Sequence, residues 1–346
     1  MRVSVALATY NGAQYIEQLL DSLAAQQHLP FELVVGDDCS NDDTVALLQR
    51  FASRSPFPVR ISVNPRRFGY ADNFLAVATE CVGDVVAFCD QDDLWHSDKL
   101  SAVVEGFCSS EDIVLVAHYA RVVDASGASL GRTFPRTSLS GRYSTNTLPL
   151  DQFPGFALTV KRELFTAAPH GLRPSGDDPR AGLLSHDTWV WLLARCIGES
   201  LIVPDRLVSY RQHENLFGDL YVTRMEQLRR TLKAGGPTYD NQAEHWRVLS
   251  SCLETLASQW SEVGRLDWAE NAVERASRFR ARAERSQARS DLYMSRRRHI
   301  ALQRYADLHH AGTYQAMIVD GLISRHAPLK DLLSVLFRRL PIHSKA

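Results

Sequence analysis

The sequence predicts an α/β fold: a mostly parallel β-sheet flanked by helices, followed by an α-helical C-terminal region. Three observations carry this. Short apolar runs alternate with helix-period stretches through the first ninety residues, the order that right-handed βαβ crossovers produce. Polar clusters stand just past three of those runs, where ligands of such sheets bind. After about Tyr221 strand signals disappear and helical periodicity takes over.

In chain order, Val3–Ala8 reads as a first strand, and Tyr15–Gln26 follows with Ile16, Leu19, Leu20 and Leu23 on one helix face. Phe31–Gly36 is a second strand, and Ser40–Asp43 offers capping residues before a helix carrying Leu47, Leu48 and Phe51. Val59–Val63 is a third strand, Asp72–Thr79 a short helix, and Val85–Cys89 a fourth strand. Residues 124–154, rich in Ser, Thr and Gly, read as a long surface loop. Phe156–Val160 reads as a strand, a helix opens near His186, and Leu201–Val203 with Leu207–Tyr210 reads as a strand pair. Further on, Trp246, Leu249, Leu253, Leu256 and Trp260 recur at helical spacing, as do Leu266, Ala269, Val273, Ala276 and Phe279. Two domains are expected, residues 1–220 and 221–346.

The charge balance supports two parts with different tasks. The formal net charge of the 346 residues is only -1. Residues 1–222 hold 18 Lys and Arg against 27 Asp and Glu, whereas residues 223–346 hold 21 against 13. An acidic part suits a cation, and a basic part suits an anionic partner such as a membrane surface. Arg275, Arg278, Arg282, Arg285 and Arg289 form a stripe at steps of three and four, either a solvated helix face or a contact with acidic headgroups. Six cysteines without metal-ligand spacing fit a reducing compartment. The N-terminal apolar run, about eight residues, is at the low limit for a signal peptide, and no run approaches the ~20 residues of a membrane span. A cytoplasmic protein is expected, with a peripheral membrane contact through the basic C-terminal region and no nucleic-acid partner.

The chemistry centres on VVAFCDQDDLW, residues 85–95, where an apolar run ends in three carboxylates within four residues. On an extended segment Asp90 and Asp92 would face one side together, and two hard oxygen donors with open positions left over suit Mg²⁺ or Mn²⁺. The chain has neither GxGxxG after the first strand nor GxxxxGK[ST], so phosphates bound here would be neutralised by a cation instead of a glycine-rich nest.

Six stretches in order carry a resemblance: VSVALATYN (3–11), FELVVGDDCSNDDT (31–44), NPRRFGYADNF (64–74), DQDDLW (90–95), HDTW (186–189) and YRQH (210–213). Together, over roughly residues 1–215, they resemble family 2 glycosyltransferases of the Rossmann-like GT-A fold, most nearly the rhamnosyltransferase-like members. The resemblance implies inverting, metal-dependent transfer from a UDP- or dTDP-sugar, with dTDP-rhamnose favoured, to a surface polysaccharide or lipid-linked glycan. It implies that Thr9, Tyr10 and Asn11 form the first nucleotide-binding turn and that Asp38 accepts the pyrimidine ring N–H. Asn64 through Asn73 would close over the base, Asp90 and Asp92 would contact ribose and metal, His213 would add a metal ligand, and Asp187 would be the general base. Cys39 stands where the family usually has glycine, which costs roughly 1 kcal/mol if the turn needs positive φ.

Structural alternatives stand beside these roles. Asp187 or Ser185 would serve as a helix cap, and Asp38 as a cap for the following helix, although Ser40 suits that position. Trp95 either packs under its loop or stacks on a sugar. His186 and Trp189 share one helix side, so that one of Trp189 and Trp191 would be core and the other would line the acceptor cleft. Two rival functions have their own signatures. A sugar-nucleotide nucleotidyltransferase would show a basic phosphate loop after the first strand, which ATYNGAQY lacks, and a non-catalytic nucleotide-sugar-binding scaffold would tolerate loss of Asp92 and Asp187.

Overall fold

The structure, a computed structural model, describes residues 1–145, 153–168, 170–176, 182–212, 235–295, 297–319 and 327–336. The chain divides into two compact units. One comprises Met1–Arg173, Leu183–Leu216 and Arg265–Asn271; the other comprises Pro174–Gly182, Phe217–Gly264 and Ala272–Ala346.

The first unit is built on a sheet with ten strands among the described residues: β1 (Val3–Thr9), β2 (Glu32–Asp37), β3 (Val59–Val63), β4 (Val85–Asp90), β5 (Leu94–Trp95), β6 (Ile113–Val123), β7 (Ser129–Phe134), β8 (Gly141–Tyr143), β9 (Leu158–Lys161) and β10 (Glu199–Arg211). The order is β3-β2-β1-β4-β9-β6-β10-β5, with β7 on β6 and β8 on β10. The half that the sequence reads as parallel is parallel: β1 pairs with β2 and with β4, and β2 with β3. Helices α1 (Ile16–Ala24), α2 (Thr44–Ala52), α3 (Tyr70–Glu80) and α4 (Lys99–Cys108) alternate with these strands, and α5 (Leu164–Ala167) and α6 (His186–Ile197) follow. The periodicity decides which faces are inside: Ile16, Leu19, Leu20 and Leu23 of α1 are all buried, as are all six residues of β2. Each such aliphatic side chain contributes roughly 1.5–3 kcal/mol when it leaves water.

The second half of the sheet departs from expectation in two places. Residues 124–154 hold two strands where a loop was expected, β7 antiparallel to β6 and β8 antiparallel to β10. Their residues are mostly exposed, so neither strand shows the apolar alternation that marks a half-buried one. The expected pair at 201–210 is one strand, β10, parallel to β6, with register shifts on either side of Arg206. Pro204 and Asp205 bulge outward there, and the ladder resumes beyond them.

The second unit is helical among its described residues. Its elements are α7 (Gly236–Glu262), most of α8 (Leu266–Met294), α9 (Arg298–His310), α10 (Thr313–Val319) and α11 (Ala327–Leu336). Tyr239, Leu292, Tyr293, Ala301, Leu308, Tyr314 and Val335 form a core there. The arginine stripe is largely used by the protein itself. Arg275 and Arg289 are buried, Arg278 pairs with Glu274, and Arg282 lies over the Trp246 ring at 5.3 Å. Among the described residues no helix is long and apolar enough to cross a membrane.

Candidate active site

Parallel strands β2, β1 and β4 end side by side, so their C-terminal turns meet on one rim. The Asp38 amide donates to the Thr9 carbonyl (2.8 Å), and the Asn11 amide to Ser40 Oγ (2.8 Å). Gln91 locks the first turn to the third through a reciprocal pair: the Tyr10 amide donates to Gln91 Oε1 (2.9 Å) and Gln91 Nε2 donates to the Tyr10 carbonyl (3.0 Å). Gly12 permits this approach, since a Cβ there would lie 2.2 Å from Gln91 Oε1. Asn11 and Cys39 both adopt positive φ, 48° and 66°. The Cys39 turn therefore does carry the left-handed strain expected of a non-glycine residue.

Asp38 organises the segment expected to cover a base. Its Oδ1 accepts from Asn64 Nδ2 (3.0 Å) and the Phe68 amide (2.7 Å), and its Oδ2 from the Gly69 amide (2.9 Å). Arg67 lies 4.0 Å from the same carboxylate and 3.7 Å over the Tyr10 ring. Two residues assigned to the nucleotide prove to be internal supports. Asn73 is 1% exposed, donating to the Gly36 carbonyl (2.7 Å) and accepting from Asn64 (3.0 Å), because Gly36 leaves it room. The Thr9 hydroxyl is buried and donates to Asp37 Oδ2 (2.9 Å), leaving only its backbone at the rim. Asp37, which the sequence reading passed over, also accepts the Ser40 amide (2.8 Å) and hydroxyl (2.5 Å), so it shapes the DDCS turn.

The DQDD segment is a turn after β4 and not an extended strand, so the expected period-two facing does not apply. Its carboxylates are nevertheless close. Loss of water, then Asp92, then Asp187, push the Asp90 carboxyl up to about 8, against the pull of Lys99. Asp93 is 1% exposed and its Oδ1 accepts the Arg211 amide (3.0 Å). Arg211, itself 1% exposed, donates through Nε to the Asp92 carbonyl (2.9 Å) and through a terminal nitrogen to Gln18 Oε1 (2.8 Å). The YRQH stretch thus holds the DQDD turn from behind. A carboxylate held up by a neighbouring carboxylate gains from a hard divalent cation beside it, so Asp90 together with Asp92 fits that role by chemistry. Among the described residues no group of three or more potential ligands forms, so water and diphosphate oxygens would complete such a shell. His213 lies outside the described residues.

Asp187 stands at the start of α6, one residue into the helix after His186. Its Oδ1 accepts the Thr188 amide (2.7 Å) and the Ser185 hydroxyl, and its Oδ2 has no partner among the described residues. Ser185 is the N-cap residue by position, but its side chain makes no capping bond and serves Asp187 instead.

All three residues expected to meet sugar or acceptor are buried. Trp95 is 4% exposed, with the Lys99 ammonium 3.4 Å from its ring centroid. Lys99 is fully buried, donates to the Phe156 carbonyl (2.8 Å), and is brought down to about 7 by desolvation. Trp189 is core, and so is Trp191, so neither indole lines a cleft. His186 is stacked on Phe74 (4.2 Å, 23°) and edge-on to Phe88 (5.1 Å). Desolvation lowers His186 to about 4, so the ring is neutral at ordinary pH. Helical spacing assigns a side, but burial depends on what the rest of the sheet lays against it, which no local pattern records.

Comparison with known proteins agrees with this geometry. Residues 4–165 match the family model "Glycosyl transferase family 2". An uncharacterized protein of Mycobacterium tuberculosis is 28% identical over 213 residues, 61% of this chain but only 59% of that relative, so the chain matches less than two thirds of its length. The dTDP-rhamnosyl transferase RfbG of Shigella flexneri is 26% identical over 225 residues, 60% of this chain and 72% of RfbG. Among solved structures, residues 1–349 of S. aureus TarS in complex with UDP superimpose with a TM-score of 0.54 at 17% identity, covering 82% of this chain and 90% of that one, a likeness of fold. With the parallel half-sheet and the converging strand tips, the likeness to the solved structure gives the first unit a GT-A-type fold, and residues 4–165 match the model of glycosyl transferase family 2.

Proposed function

We propose that the first unit transfers a sugar, with inversion, from a pyrimidine nucleoside diphosphate to a bacterial surface glycan or lipid-linked precursor. The observation that carries the reading is the meeting of the Tyr10–Asp38 rim, the Asp90–Asp92 pair and Asp187 within one unit. A dTDP-linked 6-deoxyhexose such as dTDP-rhamnose is the first candidate donor, supported by the likeness to a dTDP-rhamnosyl transferase. A UDP-sugar is the second, supported by a 35% identical stretch of 103 residues in the poly(ribitol-phosphate) β-N-acetylglucosaminyltransferase TarS of Staphylococcus aureus, 29% of this chain and 18% of TarS. The catalytic part of this proposal is residues 1–220, and residues 221–346 carry no assigned chemistry.

In this reading Tyr10 and the segment latched to Asp38 enclose the base. Asp90 and Asp92 would hold a Mg²⁺ or Mn²⁺ ion, which when bound supplies charge neutralisation to the departing diphosphate. Asp187 takes the proton of the attacking hydroxyl on Oδ2 while Ser185 and the Thr188 amide hold Oδ1 still. The hydroxyl oxygen bonds to the anomeric carbon as the bond to the diphosphate breaks, and one direct displacement inverts that centre.

The test is release of UDP or TDP from nucleotide sugars with and without Mn²⁺. Asp187→Asn is expected to abolish turnover with nucleotide affinity nearly intact, and Asp92→Ala to weaken both. Binding without turnover in the wild type, unchanged by Asp187→Asn, would leave a binding scaffold. A peripheral contact with anionic lipid falls in this proposal to the basic C-terminal end, residues 336–346, and fails if the full chain does not co-sediment with anionic liposomes at low salt.

A further inference from the structure

With Trp95, His186 and Trp189 buried, an aromatic ring that does reach solvent near the candidate general base is Tyr70, 53% exposed at the first position of α3. It stands edge-on to His186, centroids 6.0 Å apart at 80°, and His186 directly precedes Asp187. Beneath His186 the column continues inward through Phe74 to Phe88, and Phe88 meets Phe165 edge-on. Gly155 leaves room for this column, since a Cβ there would sit 2.3 Å from His186 Nε2. The outermost ring of the stack is an exposed one.

Its backbone is fixed on two further sides. The preceding Gly69, at φ 86°, gives its amide to Asp38, the carboxylate assigned to base recognition. Two residues on, Asp72 pairs with the buried Arg173. An exposed aromatic held this firmly loses little freedom when it binds, and its face suits the C–H side of a pyranose. Position selects the donor sugar over the acceptor. The sugar of a bound nucleotide must lie between the diphosphate at Asp90–Asp92 and the hydroxyl activated by Asp187. Tyr70 stands edge-on to the residue before Asp187 and directly after the Gly69 that donates to Asp38, so its ring lies on the segment that links the base-recognition carboxylate to the general base.

We infer that Tyr70 is the platform for the donor sugar, packing its ring against the pyranose while the segment it follows closes over the base. The inference rests on the transferase reading above and adds the residue that senses the sugar as distinct from the nucleotide. It also places base recognition and sugar recognition on one short segment, residues 64–70, so that seating the base sets the platform.

The experiment is calorimetry on the full chain with Mn²⁺, comparing UDP and TDP with UDP-N-acetylglucosamine and dTDP-rhamnose, in the wild type, Tyr70→Phe and Tyr70→Ala. Tyr70→Phe is expected to keep sugar-nucleotide affinity within about threefold. Tyr70→Ala is expected to lose roughly tenfold for the sugar nucleotide that the wild type prefers, and less than twofold for the matching diphosphate. Equal losses for both ligands in Tyr70→Ala would show that the ring only supports the base-covering segment, and no loss for either would show that it meets no sugar. Each of those results overturns the platform and leaves the transferase reading standing. A wild type that binds none of the nucleotide sugars overturns the transferase reading, and the platform with it.

Discussion

A buried histidine without charge is a liability at low pH, and His186 shows how one residue ties the site to stability. Unfolded, an imidazole takes its proton near pH 6.5; in this fold His186 takes it only near 4. Between those values the unfolded chain binds more protons than the folded one. The contribution of His186 is therefore intact above pH 6.5 and lost progressively as pH falls to 4, roughly 3 kcal/mol in all. His118, buried and also held neutral, acts with the same sign, so the wild type alone cannot isolate His186. His186→Phe keeps a flat ring on Phe74 and removes the titration. Urea unfolding from pH 7.5 to 4.5 is expected to show a shallower loss of stability in that variant. Parallel pH profiles would mean that His186 is not desolvated as described. Gly12 makes a second test at this scale. Gly12→Ala drives a methyl into Gln91, whose amide holds both polar groups of the Tyr10 backbone. Nucleotide affinity is expected to fall at least tenfold, with a stability loss of about 1–3 kcal/mol by denaturant titration.

At the scale of elements, the turn after β2 joins the two halves of the nucleotide rim, and Cys39 is its strained residue. Left-handed backbone costs a non-glycine residue roughly 1–2 kcal/mol, while glycine adds about 0.5–1 kcal/mol of freedom to the unfolded chain. The Cys39 Sγ contact to the Asn64 carbonyl, 3.2 Å, is a weak compensation. Cys39→Gly is therefore expected to stabilise the protein by up to about 1 kcal/mol in chemical denaturation, with nucleotide binding unchanged. A destabilised variant would show that the thiol contact outweighs the backbone strain. The same elements show what local sequence can and cannot say. Strands β1, β2 and β4 are continuous apolar runs with polar tips, so both their existence and the meeting of their tips follow from pattern. Strands β7 and β8 are short and exposed, and β10 contains Pro204, so each is specified by its partner strand more than by its own residues. The candidate site divides likewise. Asp90 and Asp92 are legible because charge after an apolar run is conspicuous, and Asp38 and Asp187 because they stand in the stretches that carry the family resemblance. Gln91, Arg211 and Tyr70 are not, because their importance lies in what the fold brings to them.

At the scale of the whole molecule, the opposite charges of the two halves of the chain invite an electrostatic account of the basic half, and the helical unit answers differently. Arg289, which the sequence places in an exposed stripe, is 2% exposed and holds the fully buried Asp331 through two bonds of 2.6 and 2.9 Å. Tyr293 and Tyr314 donate to the same carboxylate, 2.5 and 3.0 Å. One acid thus joins α8, α10 and α11. Burying an ion pair costs desolvation on both sides, so the pair adds less than its geometry implies while both partners are present. Removing one partner is another matter, because the remaining charge stays buried and unpaired. Asp331→Ala is expected to destabilise the helical unit by about 3–5 kcal/mol, read as a lower denaturation midpoint in the helical circular-dichroism signal. The surface pair Arg278–Glu274, at 2.6 Å but with both side chains more than 40% exposed, supplies the contrast. Glu274→Ala is expected to cost less than about 1 kcal/mol. Similar losses in the two variants would mean that Asp331 is solvated in solution, and the basic residues of α8 would then be available to an anionic surface after all.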